Sequence, residues 1–170
     1  MNNDKQKQGF IYSITNVRQI LFIVNESLIS KPTEVVISSL NAKTGFNVEA
    51  KLLNLTLRAW YHYKDENTEL AVTEVENVFY IENIEKYIND GNELIFPSQL
   101  WVNIVGISIS HTRALFTRSL SGTAFQNVIL SIMDPYIAAK HFFPQSFSKE
   151  ENTVKLKTKE DKPKTAKKKQ

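Results

Sequence analysis

The chain reads as an α+β domain in which strands come first and helices last. Two observations predict this. Between Phe10 and Ile81 four stretches are strand-like, and beyond Ile95-Phe96-Pro97 the apolar residues switch to helical spacing as far as Leu120. Strands and helices segregated along a chain point to α+β rather than to interleaved α/β units. The 170 residues suit one domain with tails, since domains commonly run to about 100–200 residues.

The first strand starts at Phe10. Phe10, Tyr12 and Ile14 share one face, while Val17, Leu21 and Ile23 fall on the opposite parity, so the alternation breaks near Thr15-Asn16. Ile20, Phe22 and Val24 make both faces apolar beyond that point. Helix is the alternative over residues 17–25, but the β-branched and aromatic content favours strand. Such a strand is either covered on both faces or paired across a subunit boundary.

Lys31-Pro32-Thr33 breaks the chain, and Val35-Val36-Ile37 reads as a short second strand. Asn41 to Asn47, with Gly45, is expected to be a turn or a longer crossing loop. The third strand alternates most clearly. Leu53, Leu55, Leu57, Ala59, Tyr61 and Tyr63 line one face, and Asn54, Thr56, Arg58, Trp60 and His62 the other. Val48, Ala50 and Leu52 occupy the wrong parity, which predicts a β-bulge at Leu52-Leu53.

A polar hairpin turn over Lys64–Thr68 leads to the fourth strand, with Ala71, Thr73, Val75, Asn77, Phe79 and Ile81 on one face. Ile84, Tyr87 and Ile88 stand at helical spacing and suggest a single turn. Pro97 suits a helix start, where its missing N–H costs nothing. The helix carries two apolar stripes: Leu100, Ile104, Ile107, His111 and Leu115, then Trp101, Val105, Ile109 and Phe116. A helix apolar around most of its girth needs two covers. After a break at Ser121-Gly122-Thr123, Asp134-Pro135 opens a short final helix to Phe143, ended by Pro144.

Charge is unevenly placed. Nine lysines and four acids lie in residues 148–170, so the formal +3 belongs to this tail and the body is net acidic. Residues 1–9 and 148–170 are expected to be disordered, with one folded domain over residues 10–147 between them. Lys164, Lys167, Lys168 and Lys169 suit contact with phosphates or an acidic surface, and the simpler reading is a solubilising extension. Cysteine is absent, which excludes disulfides and thiolate chemistry. Residues 1–8 are too polar for a signal peptide, and no stretch reaches the roughly 20 apolar residues of a membrane span. A cytoplasmic protein without membrane insertion is the expectation.

Catalytic motifs are missing. His62, His111 and His141 have no ligand-spaced partners, and His111 is most simply a packed histidine with one bonded nitrogen. The five glycines are scattered, no phosphate loop or nucleophile elbow appears, and Asn54-Leu55-Thr56 is a chance sequon inside a strand. Neither an enzyme nor a metal or other cofactor is expected. The body is rich in aromatics, and Trp60, sharing a face with Arg58 and His62, is expected to be partly exposed beside an apolar groove.

From Phe10 to Phe143 the chain resembles the SecB-like export chaperones. Phe10-Ile11-Tyr12-Ser13-Ile14 is similar to their first strand, and Glu74-Val75 ahead of Val78-Phe79-Tyr80-Ile81 to the end of their fourth. Ile95-Phe96-Pro97 resembles their helix start, Ser110 with Arg113-Ala114 the end of that helix, and Leu130 to Pro135 the linker into the last helix. The resemblance implies a four-stranded antiparallel sheet with one long and one short C-terminal helix, assembled as a homotetramer, a dimer of dimers. It implies an ATP-independent holdase for unfolded or pre-secretory polypeptides, in protein export or for one dedicated client such as an antitoxin. By position, clients would meet Phe46 from a crossing loop, Ala71 and Thr73 from the fourth strand, and Ala138, Phe142 and Phe143 from the last helix. Val17, Leu21 and Ile23 would pair between subunits, and Trp101, Val105, Ile109 and Phe116 would face the other dimer. The chain departs from the family in ending in lysines, where many members carry a tail that docks SecA, and in Ser131, where the linker usually holds proline. An oligomeric module binding nucleic acid through the lysines is the alternative from another class.

Overall fold

The computed structural model describes residues 10–31, 36–64, 66 and 68–148. Of the segments expected to be disordered, 1–9 and 148–170, residues 1–9 and 149–170 lie outside the described residues, as does the break at Pro32-Thr33; Ser148 is described and helical. The fold is a four-stranded antiparallel sheet with one long and one short helix on one face. Its strands are β1 (Tyr12–Val24), β2 (Val36–Asn47), β3 (Leu52–Tyr63) and β4 (Ala71–Ile81). The helices are α1 (Ser98–Ser119) and α2 (Pro135–Phe142). Strand order is β1-β4-β3-β2, so β1 and β2 are the edges.

β3 and β4 form the centre because each buries one complete face. Leu53, Leu55, Leu57, Ala59, Tyr61 and Tyr63 are buried, as are Ala71, Thr73, Val75, Asn77, Phe79 and Ile81. The two sets stand opposite each other in one register, Leu53 on Phe79 and Tyr61 on Ala71. Pairing with β2 continues that face through Phe46, Ala42 and Leu40.

Three expectations about the strands are corrected. First, Asn41 to Asn47 is no loop: β2 runs unbroken to Asn47, with Phe46 opposite Leu53. Gly45 is tolerated because β2 is an edge strand on which a missing side chain opens no gap, and a Cβ there would meet nothing within 4 Å. Second, there is no bulge at Leu52-Leu53. Residues 48–51 are a hairpin turn closed by Lys51 N–H donating to Val48 O at 3.1 Å, with Lys51 at φ 55°. The parity change is therefore the turn itself.

Third, β1 slips twice, between Ile14 and Asn16 and between Gln19 and Leu21. Thr15 falls in the first slip, and its hydroxyl donates to Val78 O at 3.1 Å. The slips return Val17 to the helix-covered face, opposite Asn77, and put Leu21 and Ile23 on the open face, opposite Glu74 and Val72. Val17, Leu21 and Ile23 thus do not share one face. The parity break near Thr15 was legible; the second, at Ile20, hid inside a uniformly apolar run.

A single turn at Ile84–Tyr87 leads to α1. Pro97 stands just before the helix, its carbonyl accepting from the Leu100 and Trp101 amides at 3.0 and 3.3 Å. The expectation that Trp101, Val105, Ile109 and Phe116 face a partner is corrected by their burial within this one chain, at 2%, 0%, 5% and 1% exposure. Trp101 stacks on Phe143 with ring centres 3.6 Å apart, and Phe116 on Tyr61 at 4.9 Å. The second cover is supplied by α2 and the sheet. What α1 leaves outside includes Asn103, Gly106, Ile107 and Ser110, all lining one shallow groove.

Gly122, at φ 81°, turns the chain out of α1. Asp134 then caps α2, its carboxylate accepting from the Tyr136 and Ile137 amides at 2.7 and 3.4 Å. Past Pro144 a further helical turn over residues 145–148 buries Phe147.

Candidate functional site

The site is a groove between the outer edge of β2 and α2. It is lined by Ser38, Ser39, Leu40, Trp60, Met133, Ile137, Ala138, His141 and Phe142 and has a volume of about 460 Å³. A small neighbouring cavity of about 40 Å³ opens where Leu130, Ser131 and Met133 pass over Ser38–Leu40.

Each wall has a local cause. On the helix wall, Ala138 and Ala139 are fully buried, and their small side chains let α2 lie close on the core. The same geometry turns Ile137 outward, at 64% exposure. The Asp134 cap fixes where α2 begins, and Pro135 sits against α1 at Gly106, where an added Cβ would come 3.2 Å from the proline ring. On the sheet wall, the linker is tied to β2 by two hydroxyl contacts. Ser38 Oγ donates to Ser131 Oγ at 2.9 Å, and the Ser131 amide donates to Ser38 Oγ at 3.3 Å.

The open face of the sheet beside Trp60 is polar and internally paired. Arg58 donates to Glu69 at 2.7 Å and to Glu74 at 2.6 Å, and these bonds raise its already high pKa, keeping it a cation. His62 stacks on Trp60 at 6.4 Å between ring centres. Its Nδ1 lies 2.9 Å from Tyr63 O and donates to it, and its Nε2 is hydrogen-bonded with the Ser39 hydroxyl at 2.8 Å. This network holds Trp60 half-exposed, as its sequence position implied.

Of the expected client-binding residues, Trp60, Ala138 and Phe142 line the groove. Phe143 is instead a core residue, 8% exposed and stacked on Trp101. Ala71 and Thr73 are fully buried beneath the helices, and the Thr73 hydroxyl is used up, accepting from Gln19 at 2.9 Å and donating to Leu21 O at 3.1 Å. Phe46 is half-buried against the core at the far end of β2 and does not line the groove. Sequence reasoning missed Leu40, Met133 and Ile137. The signal for the last two was the exposed cluster Ile129, Ile132, Met133 and Ile137, four large apolar residues around a polar Ser131-Asp134 frame.

His111 behaves as expected of a packed histidine: Nδ1 donates to Asn77 Oδ1 at 2.7 Å. Among the described residues no group of three or more His, Asp or Glu stands close enough to hold a metal, and no helix is long and apolar enough to cross a membrane.

Neither a protein-family profile nor a curated protein sequence matches the chain. Among solved structures, it is similar to a SecB-like chaperone of Mycobacterium tuberculosis, solved in complex with a ChAD peptide from the HigA1 antitoxin. The likeness has 11% identity and a TM-score of 0.47, over 72% of this chain and 90% of that one.

Proposed function

We propose that this chain is an ATP-independent holdase that keeps unfolded polypeptides from aggregating by covering their apolar segments in the groove between β2 and α2. The observation that carries this is the apolar surface the chain leaves uncovered there. Leu40, Trp60, Met133, Ile137 and Phe142 line the groove, and Ile132 beside it is 85% exposed. Large exposed apolar clusters on an otherwise well-packed domain are characteristic of surfaces that bind other chains. Burying them against a client is worth about 25 cal/mol per Å² before ordering costs, which favours many weak contacts and rapid release.

On this reading the active form is a homotetramer. The outer edge of β1, with Ile14, Ile20 and Ile23 exposed, supports pairing with a second copy, and the open face of α1 supports packing between pairs. The protein would act in the cytoplasm on chains before export, or on one dedicated client; docking to SecA through the lysine tail forms no part of the proposal.

The test is suppression of aggregation of chemically denatured client proteins on dilution. The wild type suppresses it at near-stoichiometric amounts without nucleotide, and Ile137→Ser with Met133→Ser suppresses it far less while remaining folded. Protection of several unrelated clients identifies a general holdase, and protection of a single one a dedicated chaperone. Failure to protect any client overturns the proposal.

A further inference from the structure

Sulfur is scarce in this chain. It has no cysteine and two methionines, Met1 and Met133, so within residues 10–148 every sulfur-directed oxidation falls on Met133. Methionine commonly fills gaps in a core. Met133 instead stands 37% exposed on the linker that leads into α2. A thioether needs no deprotonation before it reacts, so access of the oxidant decides whether it is converted to the sulfoxide.

The surroundings of Met133 make its oxidation state matter. It lines both the groove of about 460 Å³ and the cavity of about 40 Å³ beside it. Its neighbours are apolar on both sides, Ile109 and Leu130 in the cavity, Ile137 and Phe142 in the groove. Among the described residues no Asp, Glu, Lys or Arg lines either space. The polar groups nearby are serine hydroxyls that are already engaged, Ser38 with Ser131 at 2.9 Å and Ser39 with His62 Nε2 at 2.8 Å. A sulfoxide oxygen is a strong acceptor that needs a donor or water. In the cavity it gains one by competing for the Ser38–Ser131 contact that ties the linker to β2. In the groove it stays hydrated, and a client segment covering it must strip that water away.

We propose that Met133 is a redox-sensitive modification site: oxidation of its thioether by a peroxide lowers the affinity of the groove for unfolded chains, and reduction of the sulfoxide restores it. This regulation rests on the holdase reading of the same groove. The step needs only the peroxide as co-reactant. A sulfur lone pair attacks one peroxide oxygen, the S–O bond forms as the O–O bond breaks, and the departing hydroxide takes the proton of the transferred oxygen and leaves as water. Sulfur is oxidised by two electrons and the peroxide is reduced by two.

The experiment treats the full-length protein with hydrogen peroxide, removes the peroxide, and titrates a permanently unfolded polypeptide. Peptide masses report an added oxygen at Met133 separately from Met1. Oxidation at Met133 weakens binding about tenfold, the loss expected from covering one unpartnered polar group, while the protein stays folded at the assay temperature. A pair of methionine sulfoxide reductases, one for each epimer, restores binding. Met133→Gln, with a polar amide of similar length, binds weakly without any oxidant, and the affinity of Met133→Leu, whatever its starting level, does not respond to peroxide. Three results overturn the modification site and leave the groove reading intact: unchanged binding by protein oxidised at Met133, an equal peroxide response in Met133→Leu, or a Met133 that stays reduced while free methionine is consumed. Absence of binding by the untreated protein overturns the holdase reading and this site with it.

Discussion

Nδ1 of His111 on α1 lies 2.7 Å from Oδ1 of Asn77 on β4, and Asn77 is completely buried. This polar pair ties the long helix to the middle of the sheet in a mostly apolar layer. Asn77 is buried and His111 half-buried, so removing His111 leaves the Asn77 side-chain oxygen without its partner.

Asn77→Ala is therefore expected to destabilise the fold by about 1–3 kcal/mol, and His111→Leu by a similar amount. The double replacement Asn77→Leu with His111→Leu costs less than the sum of the two single changes, because both polar groups leave together. Urea unfolding midpoints of the four proteins measure this coupling.

Tyr61 gives the fold a defined alkaline limit. Burial pushes its hydroxyl up to about 12 from an ordinary 10.0, although Arg113 opposes the shift, and the hydroxyl donates to Val128 O at 3.0 Å. The native state thus holds a proton that the unfolded chain releases above pH 10. The stabilising contribution is complete below pH 10 and is lost as pH rises toward 12. Tyr61→Phe loses about 1 kcal/mol near neutrality and shows a shallower fall across that window. Unfolding free energies measured from pH 8 upward, on the scale of that window, compare the two slopes.

Gly106 sets how closely α2 approaches α1. A Cβ there would meet Pro135 at 3.2 Å, tighter than comfortable contact, while replacing a helical glycine by alanine gains about 1 kcal/mol. Gly106→Ala is expected to change stability by less than about 1 kcal/mol. Gly106→Val cannot be accommodated without moving Pro135, and is expected to cost about 1–3 kcal/mol and to weaken client binding by displacing the α2 wall. Thermal unfolding and client titration of both variants check this.

Phe142 and Phe143 separate binding from stability. Phe142 lines the groove, so Phe142→Ala is expected to weaken client binding severalfold with about 1 kcal/mol or less of destabilisation. Phe143 is buried against Trp101, so Phe143→Ala is expected to cost about 3–5 kcal/mol and to loosen α2 on the core. The double variant mixes the two effects, and only the single variants, assayed for both unfolding and binding, distinguish the roles.

What the sequence revealed followed the strength of its periodicity. β3 and β4 alternate most regularly, and every apolar residue assigned to their inner faces is buried. Helix starts at Pro97 and Asp134 were legible because the caps are local chemistry. Residues 41–47 were misread because an edge strand half open to solvent has the polar, glycine-containing composition of a loop. The second apolar stripe of α1 was misassigned to a partner because periodicity states that a face is covered and not by what; here Phe143 and the sheet cover it. The groove was only partly legible. Trp60 and Phe142 advertise themselves as aromatics, whereas Met133 and Ile137 became site residues through the way Ala138 and Ala139 seat α2.

The central claim is that the uncovered groove between β2 and α2 holds unfolded chains. It is tested most directly by titrating the full-length protein with a permanently unfolded polypeptide, using the native folded form of the same polypeptide as control. Binding to the unfolded form alone, weakened by Phe142→Ala and by Ile137→Ser, is the expected result. Equal affinity for both forms, or none for either, would contradict it.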